Sequence, residues 1–123
     1  MPMGSQGGAL LPKQPQSFPY VIVTMTGDGV LTVGPWTYWL TKGSAAAITL
    51  PVPTASQIGM ELIVIAGSAF AHVVTGTGLL DNGTTGGPHN TWTSAAFIGS
   101  SVTLEVMPNL RYTVTGQTLG TVA

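Results

Sequence analysis

The chain contains no cysteine among its 123 residues, so neither a disulfide framework nor thiolate chemistry is open to it. Charge is nearly as scarce. Charged side chains make up 6% of the sequence and the formal net charge is -1, where a soluble domain ordinarily has about a quarter of its residues charged. Lys13, Lys42 and Arg111 are the whole basic inventory. Nucleic acid is therefore excluded as a partner, because phosphate neutralisation needs clustered Lys and Arg. Little charge combined with 44% hydrophobic residues also excludes disorder for most of the chain.

A long apolar run is missing too. The most apolar stretch, residues 62–74 (LIVIAGSAFAHVV), is interrupted by Gly67, Ser68 and His72. It falls short of the roughly 20 residues of a membrane helix and reads as two strands joined by a Gly-Ser turn. The first residues, MPMGSQGGALL, have no basic region ahead of an apolar one, so no secretory signal is expected. No membrane partner is expected, and Asn82-Gly83-Thr84 reads as a turn rather than a glycosylation site.

Acid and base groups are limited to Asp28, Glu61, Asp81, Glu105, His72 and His89. His72 and His89 have neither HxH nor HExxH spacing. No GxSxG elbow is present, and the glycine-rich residues 83–87 lack the Lys-Ser/Thr pair of a phosphate loop. Asp28 and Asp81 sit in glycine turns, where Asp serves the backbone. Glu61 and Glu105 sit in strands, each a candidate partner for Arg111. The expectation is a protein with no catalytic residue, no metal and no cofactor.

What the chain does have is glycine (17), proline (9) and many β-branched residues. Residues 1–19 (MPMGSQGGALLPKQPQSFP) form one segment. Pro2, Pro12, Pro15 and Pro19 forbid a helix or a long strand there, which predicts an extended N-terminal arm. Leu10, Leu11, Phe18 and Tyr20 are apolar enough to dock on a neighbour. Residues 20–123 form the second unit, a β-rich domain. Short strands are expected at 20–26, 30–33, 37–40, 46–50, 60–66, 72–75, 91–98, 101–107 and 111–115, with a loop or at most one helical turn at 51–59. A turn at Asp81-Asn82-Gly83 opens a Thr/Gly loop running to Pro88. No segment shows helical spacing over three turns. The fold class is therefore all-β: a short-stranded antiparallel β-sandwich or β-barrel with an extended arm.

Alternation says more. Residues 101–107 place Val102, Leu104 and Val106 on one face and Ser101, Thr103, Glu105 and Met107 on the other, as in a sheet beside water. Residues 60–66 are apolar on both faces, with Met60, Leu62, Val64 and Ala66 opposite Glu61, Ile63 and Ile65. A strand of that kind is central, and its second face is expected to meet another subunit. The same conclusion follows from charge, since a small monomer needs about a quarter to a third of its surface charged. Trp36, Tyr38 and Trp39 fall in one short run. On a strand Trp36 and Tyr38 share a face and Trp39 points the other way. Aromatics of this kind fill a core or a subunit contact. The other use is stacking on sugar rings, with Trp36, Tyr38 and Trp92 as the platform.

From Thr49-Leu50-Pro51 and Gly59 through Val74-Thr75-Gly76, Asp81–Gly87, Ser101-Val102-Thr103-Leu104 and Arg111-Tyr112-Thr113-Val114, the chain resembles small structural modules of tailed-bacteriophage virions. The resemblance spans residues 30–122. It departs from that pattern in its long Thr/Gly loop and in having Arg111-Tyr112 where a Trp-Tyr pair is usual. It implies a non-enzymatic virion component, usually a homotrimer: a head decoration (cement) protein or part of a fibre. The expectation is a decoration protein on the capsid exterior, assembled in the host cytoplasm, with the major capsid protein as partner. Leu10, Leu11, Phe18 and Tyr20 are its expected capsid contacts, and Trp36, Trp39, Ile63 and Ile65 its self-association residues. The rival expectations are a carbohydrate- or receptor-binding module and a fibre or spike β domain.

Overall fold

The computed structural model describes residues 21–123. The arm, with Leu10, Leu11, Phe18 and Tyr20, lies outside the described residues. The rest is all-β, with ten strands: β1 (Val21–Met25), β2 (Gly29–Val30), β3 (Trp36–Leu40), β4 (Ala47–Thr49), β5 (Glu61–Ala66), β6 (Val73–Asp81), β7 (His89–Thr93), β8 (Ser101–Val106), β9 (Tyr112–Thr118) and β10 (Thr121–Val122). One 3₁₀ turn, Ala55–Gln57, interrupts them, and Thr54 and Gln57 close it as a capping box. Among the described residues no helix is long and apolar enough to cross a membrane.

The strands form one sheet in the order β1-β3-β5-β8-β9-β6-β4-β2, with β7 on β6 and β10 on β7. It curls into a nearly closed barrel. The fold is all-β as expected and, of the sandwich and the barrel, takes the barrel form, with pairing that is mixed rather than antiparallel. Five pairs are parallel (β1 with β3, β3 with β5, β2 with β4, β4 with β6, β6 with β9) and four are antiparallel. The chain lays β1, β3 and β5 side by side and places the intervening short strands on the opposite wall.

The inward row of each strand is apolar. Leu62, Val64 and Ala66 of β5 meet Val102, Leu104 and Val106 of β8, and Tyr38, Leu40, Ile48, Val74, Leu80, Trp92 and Tyr112 are among the other buried residues of the core. Tyr112 of β9 donates from its hydroxyl to the Pro51 carbonyl, just past β4, at 2.7 Å. The two alternation patterns hold. β8 keeps Ser101, Thr103 and Glu105 half-exposed, and β5, central between β3 and β8, turns Ile63 and Ile65 outward and half-buried.

Several expected boundaries shift. The strand expected at 72–75 runs on to Asp81 through Gly76 and Gly78, with a register shift against β7 beyond Thr75. The strand expected to reach Ile98 stops at Thr93, because Ser100 Oγ accepts the Ala95 N–H and Ser100 N–H bonds Phe97 O, closing a turn over 95–100. Arg111 pairs with neither Glu61 nor Glu105. Its Nε donates to Asp81 Oδ2 at 2.9 Å, because β6 and β9 bring those ends together. Asp28 likewise does more than turn the backbone: Oδ1 accepts from Lys42 Nζ and from the Ala47 N–H, each at 2.8 Å.

Candidate functional site

Three apolar features face solvent, and each follows from strand alternation. The first is the outer surface of β1, β3 and β5. The registers place Thr37 and Trp39 beside Ile63 and Ile65 on one side, and beside Ile22 and Thr24 on the other. Ile22, Trp39, Ile63 and Ile65 therefore share one face. Ile22 is 66% exposed; the other three are partly so. The Trp39 indole lies across the backbone of Gly67, where an added Cβ would come within 2.5 Å of the ring. Glycine at 67 thus leaves room for the ring, whose strand position pairs with Ile65.

The second feature is a groove of about 410 Å³ lined by Val21, Val23, Met25, Val30, Thr32, Trp36 and Tyr38. Trp36 rests on Gly34, where a Cβ would fall 2.9 Å from the ring, and meets Tyr38 edge-on with centroids 6.4 Å apart. The Tyr38 hydroxyl accepts the Thr32 N–H at 3.1 Å and donates to the Thr32 carbonyl, which locks the segment after β2 over the floor. Burial raises the Tyr38 pKa, and the bond to Thr32 partly opposes that rise.

The third is an apolar end formed by Phe70 in the β5–β6 loop and Phe97 and Ile98 in the β7–β8 loop, exposed by 39%, 66% and 64%. The two loops are tied by Ser94, whose N–H donates to His72 O and whose hydroxyl donates to Phe70 O. His72 beneath them is fully buried. Its Nε2 lies 3.0 Å from Ser68 Oγ, but that hydroxyl donates to Lys42 O at 2.6 Å, so the contact ties loops together. Among the described residues no three His, Asp or Glu side chains gather to hold a metal.

Of the expected self-association residues, the structure brings Trp39, Ile63 and Ile65 together and sends Trp36 to the groove on the opposite face. The sugar platform does not assemble at the surface. Trp92 is fully buried with its Nε1 donating to Gln117 Oε1 at 3.1 Å, and Tyr38 is 3% exposed. Sequence reading missed the groove, which depends on β2 lying near β1. It also missed Phe97-Ile98, although a bulky pair between Ser94 and Gly99 was the available signal. No protein-family model matches the chain, and no relative is found among curated proteins.

Proposed function

We propose that the chain is a non-enzymatic structural protein of a bacteriophage particle, a decoration protein that cements the exterior of the head as a homotrimer. The observation that carries this reading is the outward face of Ile22, Trp39, Ile63 and Ile65 on a chain with 6% charged residues. Apolar surface spread over three adjacent strands, rather than at a loop tip, fits burial against another copy of the same domain. The phage-module resemblance of residues 30–122 supplies the setting. Three domains held about one axis grip a shell through several weak contacts at once, and avidity does the rest. Apolar contacts of this kind persist when salt screens ion pairs. The major capsid protein is the partner, and the N-terminal arm supplies further contact with it.

The reading is tested by sedimentation of the purified protein together with its copy number in purified particles. A trimer that becomes a folded monomer in Ile63→Asp/Ile65→Asp is the expected result. Hundreds of copies per particle place it on the head lattice. A few dozen or fewer assign it to a fibre or spike instead. A parent protein that stays monomeric at high concentration overturns the proposal.

A further inference from the structure

β1 and β2 are consecutive in the chain, separated only by residues 26–28, yet they stand at opposite ends of the strand order. β1 is paired with β3 and β2 with β4; among the described residues no strand lies along the other edge of either. Among the described residues this is the seam at which the barrel is left open. The apolar groove lies along it, with Val21, Val23 and Met25 on one side, Val30 on the other, Trp36 and Tyr38 between, and no charged residue in the lining. Two strand edges that no other described strand pairs with, flanking an apolar floor, form a receptor for an extended segment. Main-chain bonds give affinity, and alternate side chains fill the floor.

We propose that the occupant is the chain's own segment 7–11 (Gly-Gly-Ala-Leu-Leu), inserted as a strand between β1 and β2 so that the barrel closes. One of the two adjacent leucines enters the groove, and the other faces outward beside Ile22. The residues outside the described part end at Tyr20, and the next residue, Val21, already lines the groove. Residues 12–20 reach roughly 30 Å at about 3.3 Å each, more than the roughly 17 Å of a five-residue strand, so the segment can turn back on its own domain. Residues 3–11 contain no proline, so each keeps the N–H that pairing on two sides needs, whereas Pro12, Pro15 and Pro19 fall in the connection. Residues 1–12 carry no charged side chain, which matches the uncharged groove. The tether supplies an effective concentration on the order of millimolar.

This inference does not rest on the cement reading and is tested with no shell present. It leaves Phe18 and Tyr20 outside the inserted segment, for contact with a partner.

Because the chain has no cysteine, an introduced thiol reports without background. Val30 and Val52 are matched in exposure, at 65% and 67%. In the full-length protein at dilute concentration, iodoacetamide should alkylate Val30→Cys about tenfold more slowly than Val52→Cys, as for a group reached only by local opening. Adding Leu10→Asp/Leu11→Asp should restore the faster rate. Mild oxidation of Val30→Cys combined in turn with Leu10→Cys and Leu11→Cys should give an intramolecular disulfide in one of the two proteins. Equal alkylation rates overturn the proposal, as does the absence of a crosslink in both pairs. Disulfide-linked dimers and trimers overturn it as well, because they place a neighbour's segment in the groove.

Discussion

The N–H of Ala46 donates to Nδ1 of His72 across 3.0 Å, and both residues are buried. A backbone N–H can only donate, so Nδ1 accepts and the ring proton sits on Nε2. Nε2 then donates toward Ser68, whose hydroxyl proton is given to Lys42 O. One imidazole thus joins the start of β4 to the β5–β6 loop. Replacing it with leucine removes the acceptor and strands the Ala46 N–H, which costs about 1–3 kcal/mol. Urea unfolding should show that loss in His72→Leu, and ¹⁵N NMR of the parent should show the Nε2–H tautomer. A variant as stable as the parent, or an Nδ1–H ring, contradicts this account.

How much of this was legible beforehand depended on range. The alternation of residues 101–107 and 60–66 announced β8 and β5 and their inward rows, and a period of two placed Trp36 and Trp39 on opposite faces. Pairing was not legible, because the row joining Ile22, Thr37 and Ile63 is set by parallel neighbours distant in sequence, which no turn signal marks. The strand expected at 72–75 stopped short of Gly76 and Gly78, yet β6 continues through both where its register slips. Phe97-Ile98 had strand composition but was captured by the Ser100 turn. The Asp81–Arg111 pair joins residues 30 apart and could only be found in three dimensions.

Asp28 should make the domain acid-sensitive. The hydrogen bond from Lys42, then that from the Ala47 N–H, hold its carboxyl below the usual carboxylate range. A depressed folded pKa contributes stability above the unfolded value of about 3.9, and that stability is lost as pH falls through the folded pKa. Asp28→Asn should therefore be less stable than the parent at neutral pH, with the gap closing in acid. Denaturation midpoints of both proteins from neutral pH into acid check this; a gap that does not narrow removes Asp28 as its source.

Tyr112 sets the alkaline side. Burial is the main cause that raises its pKa well above the ordinary tyrosine range, and a charge on Tyr38 would raise it further. The folded state favours the protonated ring, so this contribution is intact below about pH 10 and is lost as pH rises toward the folded value. In absorbance titration Tyr112 should ionise only as the fold is lost. Tyr112→Phe should give up the bond to Pro51, about 1 kcal/mol, and should be less sensitive to alkali than the parent. Early reversible ionisation of Tyr112 in the folded protein contradicts the assignment.

Leu119 is held at φ 57° in the tight link between β9 and β10 and is 60% exposed. A left-handed backbone costs a residue with a Cβ about 1–2 kcal/mol, and asparagine tolerates it better. So little of this leucine is buried that Leu119→Asn should raise stability, by up to about 1 kcal/mol. Thermal melts decide it. A lower melting temperature means that the leucine has a packing role that outweighs its backbone strain.

Glu61 and Glu105 stand directly opposite each other on β5 and β8, both half-exposed on the outer face. Like charges in such a pair destabilise a sheet, by about 0.2–1 kcal/mol. The two described cations are engaged elsewhere, Lys42 with Asp28 and Arg111 with Asp81. Glu105→Lys turns the repulsion into an attraction across the same strands and adds only charge to the surface. It should stabilise the domain by a few tenths to about 1 kcal/mol, and Glu105→Gln by less. The gain should be largest at low ionic strength and shrink as the Debye length falls to about 3 Å near 1 M salt. Urea unfolding of the three proteins at two salt concentrations separates this effect from a change in packing, because a packing change persists in high salt and the electrostatic gain does not.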